Sequence, residues 1–395
     1  MTATPAQRNL ALLLEELDIP PGAYERAERR YQNLGEFFGS DRAQCARFSP
    51  HIYPQGSFRL GTVVRPLDGG EYDLDVGCRL REGVSKTAYT QQQLKRVVGQ
   101  DVERYRAQRG IEEPLDEKRR CWRLAYQDEL AFHMDVVPSI PEDAPRRQVL
   151  QERMQFSGMD AVVATRVAQH AGAITDNEDD NYDVISAEWR VSNSEGFALW
   201  FESRMRQAQL LLERQAAQVG VTIDDLPAQR WNSPLQAAIR LLKRHRDYMY
   251  RDNTDSQPIS VIITTLAALA YRGETDVESA LLGVLERMES FVRVAAPHVP
   301  NPVNPDEDFA DKWDDPTYAH LYLEHNFRGW LLQAKAHFAA LRSAGSETLL
   351  EAALRPFAVT PGRDRLIETV GAAVSAPAAT VEPSGRPWAN PCRSR

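Results

Sequence analysis

The sequence predicts an α+β protein of two lobes, the first mixing strands and helices and the second all-helical. Three observations predict it. The chain has 395 residues, enough for two domains. Apolar and polar residues alternate with the period of a strand in "EYDLDVGCRL" (71–80) and again across "RCWRLAYQDELAFHMDVVPSI" (120–140). From about residue 196 the strand signals stop and every strongly patterned segment has helical spacing.

Taken in order, residues 5–19 and 21–39 read as two helices; in the second, Tyr24, Ala27, Tyr31, Leu34 and Phe38 share one face. Segment 71–80 is a strand and 87–108 a helix. Segment 120–140 is two strands joined at Gln127, Asp128 and Glu129, with Pro138 expected to end the second. Residues 145–170 read as helix and the acidic stretch 175–183 as a solvated loop. A long helix starts near 196, with Ser192, Asn193 or Ser194 as cap. Further helices fit 233–251, 258–271, 275–296, 315–342 and 346–357, with a proline-punctuated loop at 298–313. The Ala/Pro/Ser-rich stretch 372–395 is expected to be disordered. The predicted division is 1–195, 196–360 and the tail 372–395.

Composition excludes some functions. A net charge of −9 argues against a broad nucleic-acid backbone interface. The most apolar run, 259–271, is too short to span a membrane, and the first residues lack a signal-peptide layout. Cysteines 45, 78, 121 and 392 are scattered without a CxxC pair, which predicts free thiols, a cytoplasmic location and no structural zinc.

The chemistry concentrates in "PQGSFRLGTVVRPLDGGEYDLDVG" (54–77). Asp73 and Asp75, two apart on a strand, stand on one face while Leu74 and Val76 enter the core. Two carboxylates that close raise each other's pKa unless a cation sits between them. Hard oxygen ligands favour Mg²⁺ or Mn²⁺. Asp135 lies among Phe132, Met134, Val136 and Val137, an apolar strand context. If the two strands pair, three carboxylates converge as in two-metal phosphoryl or nucleotidyl transfer. Gly56 lets the backbone approach a phosphate, and the Ser57 hydroxyl and nearby N–H groups supply donors. His133 shares the strand face of Asp135 and reads as a hydrogen-bonded structural histidine; Trp231, Trp313 and Trp330 read as packing residues.

Segment 234–251 divides at helical spacing into an apolar side (Leu235, Ala238, Ile239, Leu242, Met249) and a basic side (Arg240, Lys243, Arg244, Arg251, with Asp247 among them). In an acidic protein that side is a candidate phosphate clamp, Lys243 foremost. The competing reading is an ordinary solvated face.

In "PQGSFRLGT" (54–62), "YDLDVG" (72–77), "FHMDVVPSIP" (132–141), "WRVSNSEGFALWF" (189–201), "PLQAAIRLLKRHRD" (234–247), "PISVIITTLAA" (258–268) and "NPVNPDEDFADKW" (301–313), the chain resembles the bacterial cGAS/DncV-like nucleotidyltransferases (CD-NTases) of the DNA polymerase β-like superfamily. The resemblance implies a polymerase β-like lobe with a mixed sheet, closed by a helical lobe into a bilobed cage. It implies a nucleotidyltransferase that joins nucleoside triphosphates, ATP among them, into a cyclic di- or trinucleotide second messenger. The implied setting is CBASS anti-phage defence, with a separate effector as target and an accessory protein as possible partner. Two Mg²⁺ or Mn²⁺ ions are implied, held by Asp73, Asp75 and Asp135, with Asp135 also assisting deprotonation of the attacking hydroxyl. By the same resemblance Gln55, Gly56 and Ser57 form the phosphate-binding turn, and Lys243 and Ser260 meet the triphosphate. Ser194 departs from the family's usual proline after "SN". The zinc insertion of the DNA-sensing animal relatives has no counterpart among four isolated cysteines. The alternatives are a nucleotidyltransferase making linear oligonucleotides or modifying RNA or protein, and a non-catalytic nucleotide-binding scaffold.

Overall fold

A computed structural model describes residues 3–127, 132–205 and 233–371. The chain opens with α1 (Pro5–Leu17), where Thr4 and Gln7 cap the first turn reciprocally, and α2 (Pro21–Phe38). Then come β1 (Pro50–Pro54), the short α3 (Gly56–Leu60), β2 (Tyr72–Leu80) and α4 (Gln91–Arg109), the last with a Thr90/Gln93 capping box and Gly110 in the left-handed region at its end. Strands β3 (Asp116–Glu117), β4 (Trp122–Tyr126) and β5 (Phe132–Pro141) follow. Next are α5 (Ala144–Phe156), α6 (Ala161–Ala168), β6 (Gly172–Ile174) and β7 (Arg190–Ser192). Helix α7 begins at 194 and is described to 205. Beyond it lie α8 (Pro234–Met249), α9 (Ser260–Ala270) and α10 (Val277–Arg287), then the hairpin β8 (Pro300–Asn301)/β9 (Asn304–Asp308). Helices α11 (Leu323–Ser343), α12 (Glu347–Leu354) and α13 (Arg363–Gly371) complete the described chain.

The sheet is mixed, in the order β1-β2-β5-β4-β3, with β6 added to the far end of β5 and β7 to β6. β2 and β5 are parallel; the other pairs are antiparallel. Register follows from burial. Tyr72, Leu74 and Val76 of β2 and Phe132, Met134 and Val136 of β5 face the core, each at most 5% exposed. A one-residue slip would turn Asp73, Asp75, His133 and Asp135 into the core in place of apolar side chains. At about 1.5–3 kcal/mol per large apolar side chain, no such alternative competes.

Two apolar cores result. One lies under the sheet, filled by α2 (Ala23, Ala27, Leu34, Phe37, Phe38) and α4 (Leu94, Val98, Val102, Tyr105). The other joins α7 to α13 and also takes in α1 (Leu10, Leu13, Leu17) and the α5–α6 pair (Leu150, Met154, Val167).

Several sequence expectations change. Pro138 does not end its strand: β5 runs on to Pro141. Pro138 falls between the two antiparallel partners, β4 reaching Val136 and β6 starting at Ser139, so its missing N–H breaks neither ladder. Segment 145–170 is two helices, parted at the Ser157–Gly158 turn. The 298–313 loop contains the β8–β9 hairpin. In the acidic stretch Asp176 is buried, accepting from Arg119 and Arg120. The turn expected at 127–129, the tail 372–395, Trp231, Cys392 and most of the long helix expected from 196 lie wholly or partly outside the described residues. Trp330 is buried in the helical core, where Trp313 packs beside Phe327. No helix among the described residues is long and apolar enough to cross a membrane.

Candidate active site

The turn after β1 is folded onto the acids of β2. The Gln55 N–H donates to the Asp75 carbonyl at 2.8 Å, and the Thr62 N–H to the Ser57 carbonyl at 3.0 Å. Gly56 has φ +60°, and a Cβ there would lie 2.0 Å from Asp75 Oδ2. Only glycine meets both demands, the left-handed backbone and the close approach. Gly56 and Ser57 therefore sit directly beside the second acid, and both line one cavity with Asp73 and Asp75. The Gln55 side chain packs over Gly77 instead and is absent from the cavity wall.

Parallel pairing sets Asp73 beside His133 and Asp75 beside Asp135. Neighbouring strands lie about 4.8 Å apart, so the Asp75 and Asp135 carboxylates crowd each other. Burial, then Asp135 and Asp73, push the Asp75 carboxyl up to about 6. Asp73 is raised too, by desolvation first and then by Asp135 and Glu71, with Arg123 and His133 opposing. His133 bonds to Glu71 (Nε2 to Oε2, 2.6 Å), and its Nδ1 is 3.8 Å from Asp73 Oδ1, in keeping with a structural role. Asp135 is held by Arg123 of β4, Nε to Oδ1 at 2.8 Å and Nη2 to Oδ2 at 2.7 Å. It does not line the cavity.

In kind, the three carboxylates suit a hard divalent cation. As they stand, no group of three His, Cys, Asp or Glu side chains among the described residues is arranged to hold a metal, and both Asp135 oxygens accept from Arg123.

The opposite wall comes from α8 and α9. Lys243 is 5% exposed; its Nζ donates to the Thr62 carbonyl (3.2 Å) and Oγ1 (3.1 Å). Burial, with nearby Arg246, lowers its ammonium to about 8, while Asp247 and Asp75 oppose. Ser260 opens α9 and accepts from Arg246 Nη2 at 2.9 Å. Lys243, Ser260, Val261 and Thr264 all border the cavity, so the N-terminal turn of α9 faces the same space as the acids. Most of the basic side is not solvated: Arg240, Lys243 and Arg244 are each under 9% exposed, as is Arg246, while Arg251, past the end of α8, is exposed. Arg240 pairs with Asp18, and Arg244 donates to the Arg65 carbonyl. Met249, expected on the apolar side, is the exposed one at 38%. The cavity has a volume of about 990 Å³.

Sequence reasoning missed Arg123, Arg246 and a polar cluster on the cavity wall, where Arg190 and Asn301 both donate to Glu307. Arg123 had a readable signal: it alternates with the apolar Trp122 and Leu124. Arg246 was set apart from the basic side because helical spacing places it among the apolar positions of α8, between Leu235 and Ile239.

These features define a nucleotidyltransferase fold of the polymerase β-like kind, and the comparisons show what the chain is similar to. Residues 50–138 match the model "Cyclic GMP-AMP synthase DncV-like, nucleotidyltransferase domain". A c-di-GMP synthase of Roseivirga ehrenbergii is 26% identical over 343 residues, covering 85% of this chain and 81% of the relative. The cyclic dinucleotide synthase CdnG of Bradyrhizobium diazoefficiens is 26% identical over 332 residues, covering 79% and 71%. The structure of that CdnG in complex with GTP superposes with a TM-score of 0.61 at 21% identity, covering 93% of this chain and 99% of the other. Over most of its length the chain is thus similar to bacterial cyclic dinucleotide synthases, and its residues 50–138 match their nucleotidyltransferase domain.

Proposed function

We propose that the protein is a cyclic dinucleotide synthase that takes nucleoside triphosphates into the cavity between sheet and helices, GTP among them. The observation that carries this reading is the placement of Asp75 beside Asp135 and under Gly56, in a cavity that Lys243 also lines. Its volume of about 990 Å³ is near the top of the ~300–1,000 Å³ range of small-molecule sites and suits more than one nucleotide. The base preference draws on the relatives, one called a c-di-GMP synthase and one solved with GTP.

In this reading the sheet, within residues 1–195, carries the chemistry, and the helical part, 196–360, closes over it. Asp73, Asp75 and Asp135 would hold two divalent cations, Mg²⁺ or Mn²⁺. Bound there, the ions would activate the attacking ribose hydroxyl and neutralise the charge that develops on the α-phosphate. The N–H groups and hydroxyl of Gly56 and Ser57 orient triphosphate oxygens, with Gln55 fixing that turn through its bond to Asp75. Lys243 and the α9 N-terminus with Ser260 supply positive charge from the other wall and favour departure of pyrophosphate. Bond making and breaking balance: each ribose hydroxyl loses a proton, each new phosphodiester forms at an α-phosphorus, and each step releases pyrophosphate. A second such step within the linear intermediate closes the ring. We assign the product to second-messenger signalling in CBASS anti-phage defence, acting on a separate effector, in the cytoplasm. An accessory protein would be a further partner, as in the Escherichia coli CdnC structure with a HORMA protein.

The test is incubation with the four nucleoside triphosphates and Mg²⁺ or Mn²⁺, followed by phosphatase and mass spectrometry, beside Asp73→Asn/Asp75→Asn. A phosphatase-resistant cyclic dinucleotide made only by the intact protein is expected. Phosphatase-sensitive linear products alone would move the assignment to oligonucleotide synthesis or end modification. No product and no nucleotide binding would overturn it.

A further inference from the structure

The third acid of the site is not free to take a ligand as it stands. Asp135 gives both oxygens to the Arg123 guanidinium in a two-pronged pair at 2.8 and 2.7 Å. The pair is built into the sheet, because antiparallel β4–β5 register sets Arg123 directly opposite Asp135. The other groups around Asp135 cannot neutralise it. Asp75 is an acid on the adjoining strand, and Asp73 is one step further along β2. The Cys121 thiol, against Asp135, is pushed up to about 12, first by burial, and stays uncharged at neutral pH. His133 is turned to Glu71. Arg123 is thus the positive charge that lets three carboxylates share one end of the sheet, and its reach extends to Asp73, whose carboxyl it stabilises as the anion.

Resting on the nucleotidyl-transfer reading of this site, we propose that Arg123 is a positioning residue that stands in for a cation. It holds the Asp135 carboxylate in place in the metal-free protein and gives it up when a divalent ion enters. Geometry makes the exchange feasible. The Arg123 side chain is 30% exposed, so it can turn outward to water without opening the core, whereas Asp135 at 15% is fixed on a central strand. The guanidinium and a divalent ion compete for the same two oxygens. Metal loading of Asp135 is therefore linked to release of Arg123. Loading is weak until a nucleotide brings further oxygen ligands, which keeps the acids from binding metal idly.

The test is Mn²⁺ binding to the full chain without nucleotide, with free Mn²⁺ followed by electron paramagnetic resonance. Wild type, Arg123→Gln, Arg123→Lys and Asp75→Asn are compared, together with the double variant Arg123→Gln/Asp135→Asn. A charge-assisted pair is worth about 1.5–3 kcal/mol, so Arg123→Gln should bind Mn²⁺ roughly tenfold to a hundredfold more tightly than wild type. Arg123→Lys, which keeps the charge but not the fork, should fall between them. The gain should vanish in the double variant. A merely structural arginine predicts the opposite sign, since its loss would disorder Asp135 and weaken binding. Equal or weaker Mn²⁺ affinity in Arg123→Gln, with binding still abolished by Asp75→Asn, overturns this proposal alone. Mn²⁺ binding indifferent to Asp75→Asn in every variant overturns the underlying reading of the site as well.

Discussion

Two regions of this protein crowd like charges, and they resolve the crowding differently. On α8, four cations are nearly inaccessible, and each has acceptors within the protein: Asp18 for Arg240, Thr62 for Lys243, the Arg65 carbonyl for Arg244, and Asp247, Pro258 and Ser260 for Arg246. On β2 and β5, three acids stand together, and among the described residues no side chain donates a hydrogen bond or gives an ion pair to the Asp75 carboxylate. The contrast separates charges the fold uses to hold itself together from charges it keeps in reserve. A desolvated charge is costly unless paired, so Asp75, half-buried and unpaired against glycine backbone, marks a place where a ligand completes the set. Lys243 belongs partly to both groups, since its hydroxyl and carbonyl acceptors are neutral and its charge is met only at a distance by Asp247 and Asp75.

That comparison can be broken by exchanging the members of each set. The largest effect is expected for Asp75→Asn: product formation should fall at least about a thousandfold, while metal-free stability, read by urea unfolding, should hold or rise by on the order of 1 kcal/mol as carboxylate repulsion is relieved. Arg246→Ala should do the reverse to stability. It frees Asp247, the Pro258 carbonyl and Ser260 at once, and a loss of about 2–4 kcal/mol is expected in the same assay. An Arg246→Ala protein as stable as wild type would remove the structural half of the comparison.

Gly56→Ala sharpens the other half. The added Cβ meets Asp75 Oδ2 and sits at a positive φ, so a cost of about 1–3 kcal/mol is expected. Turnover should drop about a hundredfold, because a displacement near 1 Å at the acids is enough for that. The smallest effect is expected for Asp18→Asn. Asp18 is more than half exposed, so losing its pair with Arg240 should cost under about 1 kcal/mol. A larger loss would mean that the α8 cations depend on formal counter-ions rather than on any well-placed acceptor.

How far these two regions could be read from the sequence differs as well. The acid face was legible because a strand has a rigid period of two: Asp73, Asp75 and Asp135 alternate with core residues, and the β2–β5 register then brings two of them side by side. Gly56 and Ser57 were legible from their place before that strand. The register of the β4–β5 hairpin was not. A turn centred on Asp128 would set Cys121 opposite Asp135; the observed register pairs Tyr126 with Phe132 and brings Arg123 there instead. On α8 the helical period identified Lys243 but implied an exposed basic side. The reason lies elsewhere in the chain: the 61–66 segment, the end of α1 and the start of α9 all close on that helix, and no local pattern in 234–251 announces them. The same non-local packing draws α1, α5 and α6 into the helical core.

The measurement that tests the central claim most directly is pyrophosphate release from GTP with Mg²⁺, comparing wild type with Asp75→Asn at matched folded fractions. The account predicts steady release by wild type and none above background by the variant. Equal release by both proteins, or orthophosphate in place of pyrophosphate from wild type, would contradict it.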